Sequence, residues 1–197
     1  MRTPARLLTL ALIVGSASAV QASDDKFATR LSGYNEVHFI AGSTTTTPIT
    51  PPALRGAVST PARGSFEARI DDRNDIIHYK LTYEGLTGDV TQAHIHFGQR
   101  HTVGGIVVWL CETDGTPAPA SVAAKTPPCL GPRQGVITGT IEPDQVIDVV
   151  GQGIVAGEFQ ELVAAIRAGR TYANVHSATF GPGEIRGQIH GDRSHRH

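Results

Sequence analysis

The chain has 197 residues, with 17 Lys and Arg against 18 Asp and Glu for a formal net charge of −1; 40% of its residues are hydrophobic and 18% charged. That length and balance suit one globular domain and exclude a disordered tail, a basic nucleic-acid footprint and a polybasic lipid-binding segment. The 22 Gly and 12 Pro are scattered without period, which excludes collagen and a helix bundle and favours turn-rich β structure.

The first segment reads as an address. Arg2 and Arg6 precede the apolar run 7–14, and small residues follow at Ala17-Ser18-Ala19 and Val20-Gln21-Ala22, the three-part pattern of a secretory leader. The run is too short for a permanent membrane span, so the sequence predicts cleavage near Ala19 or Ala22 and a secreted or periplasmic product. The expected organisation is a leader over 1–22, one domain over 23–190 and a frayed, His-containing tail over 191–197.

Phe27, Thr29 and Leu31 open an alternating strand, and the Thr- and Pro-rich stretch 43–52 reads as an exposed loop. Residues 64–70 alternate cleanly, Asp71 to Asp75 supply turn chemistry, and Ile77, Tyr79, Leu81 and Tyr83 line one face of the return strand. Strands are expected over 90–97 and 106–111, joined across 98–105, and over 135–141. Phe159, Leu162, Val163 and Ile166 fall at helical spacing before Gly169, which predicts one helix over 158–168. A last hairpin joins 172–177 to 184–190 through Gly181-Pro182-Gly183. The predicted fold is all-β: an antiparallel Greek-key sandwich, immunoglobulin-like or superoxide-dismutase-like, with one short crossover helix.

Cys111 and Cys129 are the only cysteines, and export favours pairing them in a disulfide. The rival reading, two thiolates on a metal, lacks a CxxC spacing.

Alternate residues of a strand share a face, so Ala93, Ile95 and Phe97 are expected inward, and Gln92, His94 and His96 outward. In the last hairpin Tyr172, Asn174 and His176 are expected outward, as are Glu184, Arg186, Gln188 and His190. A turn symmetric about Phe180 sets His176 opposite Glu184 and Asn174 opposite Arg186, making Asn174, Glu184, Arg186 and His190 a polar cluster on the sheet face. Two imidazoles on one strand, His94 and His96, and a third, His176, from a neighbouring strand could chelate one copper or zinc ion. His101 in the following loop is a further candidate, and the bland alternative is that His94 and His96 are hydrogen-bonded surface or semi-buried groups bridging polar neighbours. Arg186 could fork onto an anion, but pairing with Glu184 or another acid of that face is the structural expectation, and Trp109 reads as packing. No G-x-S-x-G elbow, phosphate-cradling Gly loop or H-E-x-x-H motif occurs, which disfavours an enzyme.

The segments Leu31-Ser32-Gly33-Tyr34-Asn35-Glu36-Val37, Ala93-His94-Ile95-His96-Phe97-Gly98, Tyr172-Ala173-Asn174-Val175-His176 and Gly183-Glu184-Ile185-Arg186-Gly187-Gln188-Ile189 together resemble the CHRD domain family, named for chordin. The resemblance covers about 27–190 and implies a β-sandwich module of exported proteins. A more distant similarity to Cu,Zn superoxide dismutase implies metal ligation by His94, His96 and His176 and an anion-guiding role for Arg186. The bridging histidine and zinc cluster of that enzyme have no counterpart here. Two functions are therefore carried forward. One is a non-catalytic module that binds a protein or other extracellular ligand through its sheet face or Pro-rich loop; the other is a copper- or zinc-binding protein.

Overall fold

The computed structural model describes residues 25–40 and 53–191; the expected leader, the 43–52 loop and the tail beyond Gly191 lie outside them. The strands are β1 (Asp25–Ser32), β2 (Val37–Ile40), β3 (Ala53–Gly56), β4 (Arg63–Asp71), β5 (Ile76–Glu84), β6 (Val90–Phe97), β7 (Gly105–Cys111), β8 (Gly135–Ile141), β9 (Thr171–Ser177), β10 (Ile185–Gln188) and β11 (His190–Gly191). One helix, α1 (Phe159–Arg167), lies between β8 and β9. Eight strands pair antiparallel in the order β7-β6-β9-β10-β1-β4-β5-β8, with β11 added beside β1. The edge strands β7 and β8 meet, and Ile147 just beyond β8 donates to the Val107 carbonyl, so the sheet curls nearly closed into a sandwich.

The alternation seen in the sequence decides which face enters the core. Phe66, Ile70, Ile77, Leu81, Ala93, Ile95, Ala173, Val175 and Ile185 are all buried in one cluster. α1 adds Phe159, Leu162, Val163 and Ile166 to it and ends at Gly169, whose φ of +65° is the left-handed turn glycine accommodates most easily. Tyr79 and Tyr83 keep their rings in the core and donate their hydroxyls to the Leu110 and Leu130 carbonyls. Among the described residues, no helix is long and apolar enough to cross a membrane.

Cys111, at the end of β7, is bonded to Cys129, as the sequence predicts, and closes the loop between β7 and β8 over a separation of 18 residues. Replacing both by serine is expected to cost about 3 kcal/mol, the chain entropy of a loop of this length. Urea unfolding of the variant and the parent checks this.

The antiparallel pair β2–β3 forms a separate two-stranded sheet not anticipated from the sequence. Its strands are four residues each, too short for alternation to stand out, and they flank the Thr- and Pro-rich stretch. This pair bears on the site: Glu36, just before β2, reaches Asn174 on β9, and His38 within β2 reaches the Gly183 carbonyl in the turn before β10.

Candidate metal centre

The strands β6, β9 and β10 lie side by side, with His94 opposite Asn174 and His96 opposite Tyr172. Arg186 stands opposite Asn174 on β10, the register the sequence predicts. The expected outward residues therefore do share one face. They are not exposed, however: His94, His96, His176, Asn174 and Arg186 are all less than 10% accessible. The alternation identified the face correctly but could not show that a second layer covers it.

Two features of the backbone set this face. Opposite His94 and His96, the pairing of β6 with β7 slips twice, between Ala93 and His94 and between Ile95 and His96, leaving Leu110 and Val107 as extra residues. Such bulges re-aim neighbouring side chains and sharpen the local twist. The cover is the 98–104 loop, the turn after β9 and the start of β2. The loop is held down by Arg186 Nη2 on the Gln99 carbonyl at 3.2 Å and by Gln188 Nε2 on the Gly98 carbonyl at 2.9 Å. Tyr172 adds to this by accepting from the Gly104 amide at 3.1 Å.

His94, His96 and His176 converge: one ring nitrogen from each lies within 4.8 Å of the others. His96 Nδ1–H donates to the Gly104 carbonyl at 2.9 Å and His176 Nδ1–H to the Gly181 carbonyl at 2.7 Å. A carbonyl only accepts, so each neutral ring carries its proton on Nδ1 and leaves Nε2 bare. His176 Nε2 stands 3.2 Å from His94 Nδ1, while His94 Nε2 and His96 Nε2 are buried without any partner. An unpartnered buried nitrogen costs about 1–3 kcal/mol, and two of the three converging rings carry one. Backbone carbonyls that fix the far nitrogen of a histidine are the usual outer support of a metal-binding imidazole.

Aromatic rings complete the walls. Trp109 meets the His94 ring edge-on at 4.2 Å between centroids, and Tyr172 lies parallel to the His96 ring at 4.7 Å. The Arg186 guanidinium sits 3.4 Å above the Tyr172 ring, in cation–π contact.

Burial dominates the protonation of this face. It pushes His94 well below its ordinary pKa, helped by the charges of His176 and His96. Burial takes His96 down to about 3, against the Gly104 hydrogen bond, and His176 to about 4, against the Gly181 bond. Glu36 moves the other way: burial raises it to about 7, although the Val37 amide, Arg186 and Asn174 all favour its charged form. The three imidazoles are thus neutral at physiological pH, the protonation state in which histidine binds a metal.

The sign of the pH effect follows from these shifts. The unfolded chain takes up protons on its histidines below their ordinary 6.5, while the folded domain does not until about 4 or 3, so stability is lost as pH falls through that window. Near pH 5 the cost is about 2 kcal/mol per histidine. Glu36 has the opposite sign, contributing stability at low pH that is lost as pH rises through about 7, and so offsets roughly one histidine. Urea unfolding of the metal-free protein between pH 5 and 7 is expected to show net destabilisation at the acid end.

The other residues singled out by the sequence are dispersed. Glu184 is buried in its own polar pocket, accepting from Thr60 Oγ1 at 2.6 Å, the Thr87 amide at 2.9 Å and Ser177 Oγ. It does not pair with Arg186; the acid that acts electrostatically on Arg186 is Glu36. His190 is exposed at the edge, with Nδ1 on the Gln188 carbonyl, and takes no part in the cluster. His101 is exposed and lies outside the converging triad. Glu36 and His38 join the site unannounced, since Glu36 contacts Asn174 across 138 residues of sequence and His38 contacts Gly183 across 145. A surface groove of about 780 Å³ is lined by Arg30, Arg63, Tyr83, Glu84 and Val136 and does not touch the histidines.

No curated protein and no solved structure matches the chain. The family model of the CHRD domain matches residues 27–189, from the third residue of β1 to the residue before β11, and so takes in all three histidines and the sheet that carries them. On that match the chain belongs to the CHRD domain family.

Proposed function

We propose that this CHRD domain is an exported metal-binding module that holds one copper or zinc ion between His94, His96 and His176. The observation that carries the reading is the convergence of three buried imidazoles, with His94 Nε2 and His96 Nε2 left without partners. Those atoms are acceptors that a cation satisfies, and borderline nitrogen donors suit copper and zinc, with copper(II) favoured by the Irving–Williams order. Export rests on the leader pattern at the start of the sequence, and the Cys111–Cys129 disulfide agrees with an oxidising compartment. The alternative of a partner-binding sheet face is less favoured, because this face of the sheet is buried under the 98–104 loop and β2.

Trp109 offers a direct readout, being the only tryptophan of the chain and in contact with His94. Copper(II) added to the metal-free protein is expected to quench its fluorescence with a break at one equivalent, whereas zinc(II) fills the site without comparable quenching. Emission unchanged by copper(II) up to several equivalents would contradict the reading.

A further inference from the structure

Beside the three histidines, Asn174, Arg186 and Gln188 each carry a buried polar atom without a partner, and of these Asn174 offers an acceptor directly opposite His94. It sits opposite His94 across the β6–β9 pair, on the same face of β9 as His176 two residues on. Its side chain is buried, and Nδ2 donates to Glu36 Oε2 at 2.7 Å. The other Glu36 oxygen accepts from the Val37 amide at 3.0 Å, so the carboxylate is oriented from two sides and dictates which end of the amide faces it. Oδ1 is thereby turned away from Glu36, and it is buried with no partner.

The histidines offer Oδ1 no donor. His96 and His176 carry their protons on Nδ1, committed to the Gly104 and Gly181 carbonyls. A bare imidazole nitrogen and a bare amide oxygen buried on one sheet face, as on the neighbouring His94 and Asn174, both lack a positive group to accept from. The nearby guanidinium lies over the Tyr172 ring with Nη2 on the Gln99 carbonyl, and although its Nη1 is buried without a partner, no hydrogen bond joins it to Asn174 Oδ1. The Glu36–Asn174 pair also has no slack. Gly183 packs against it at φ +134°, and a Cβ there would fall inside contact distance of both Asn174 Nδ2 and Glu36 Oε2.

The geometry points to Asn174 Oδ1 as a fourth donor to the ion held by His94, His96 and His176, with Glu36 fixing and polarising the amide from behind. This rests on the metal-binding reading of the triad. A neutral amide oxygen is a hard donor, so its addition favours divalent copper or zinc over copper(I).

The test compares the full mature chain with Asn174→Ala and Asn174→Asp, each given one equivalent of copper(II). Affinity is read by competition and the ligand field by electron paramagnetic resonance. Asn174→Ala is expected to lose about 10- to 100-fold in copper(II) affinity and to show shifted g values and copper hyperfine splitting, with imidazole nitrogens still coupled. Asn174→Asp, which keeps an oxygen in place, is expected to recover most of the affinity. A copper spectrum and affinity of Asn174→Ala identical to the parent, even with a lowered melting temperature, would make Asn174 structural and overturn the inference alone. If Asn174→Ala does not fold, Asn174→Asp decides: a spectrum unchanged by the new carboxylate overturns it. A parent chain that takes up no copper removes the reading of the triad, and this inference with it.

Discussion

Replacing His96 with alanine is expected to lower copper(II) affinity by more than about a hundredfold, since even an outer-sphere partner of a metal ligand is worth 10- to 100-fold. The substitution removes one of the two unpartnered Nε2 atoms and leaves two imidazoles, from His94 and His176, at the centre. It also costs stability, contrary to what an outward-facing residue would imply. His96 is buried, parallel to Tyr172, and donates to the Gly104 carbonyl, so its loss opens a small void and frees a carbonyl of the covering loop. A destabilisation of about 1–3 kcal/mol in the metal-free state is the expected scale. Copper competition titrations and urea unfolding of the metal-free proteins separate the two effects. Copper affinity kept at the parent's level in a folded His96→Ala variant would contradict the assignment.

The second large effect is on thermal stability. An ion that binds only the folded state stabilises it by about 2.7 kcal/mol when present at a hundred times its dissociation constant. For a chain of this size each kcal/mol moves the midpoint by about 2–4 °C, so copper(II) or zinc(II) is expected to raise the melting temperature by about 5–10 °C. The gain is plausible in physical terms because the metal-free centre carries the cost of two unpartnered buried nitrogens, which coordination relieves. Magnesium, which prefers oxygen ligands in an octahedral shell, is expected to leave the midpoint unchanged. No shift with either copper or zinc would count against the centre.

The local pattern carried much of this account. The alternation of Ala93, His94, Ile95 and His96 placed Ala93 and Ile95 in the core, and the turn symmetry placed Asn174 opposite Arg186. The apolar spacing in 158–168 located α1 to within a residue at each end. What stayed hidden depends on distant parts of the chain. The burial of the histidines comes from the 98–104 loop, the turn at Gly181 and the approach of Glu36 and His38, contacts that no local periodicity encodes. The two bulges beside His94 and His96 belong to the pairing of β6 with β7 and are likewise invisible in either strand alone. Glu184 looked like the partner of Arg186 because both fall on one strand face. The Thr60, Thr87 and Ser177 groups that engage it instead are set by tertiary packing.

The chemistry that follows is that of a site whose imidazoles are held neutral. Burial keeps the imidazoles neutral, the Gly104 and Gly181 carbonyls select which nitrogen is bare, and Trp109 and Tyr172 wall the centre. Little reorganisation is then needed for an ion to be held, which favours tight binding.

The measurement that tests this most directly is the copper and zinc content of the mature chain, purified without an affinity tag from metal-supplemented medium, beside a His96→Ala control carrying the same C-terminal histidines. About one equivalent of copper or zinc in the parent, lost in the control, is the expected result. Metal absent from both proteins, or equal in both, would contradict the centre at His94, His96 and His176.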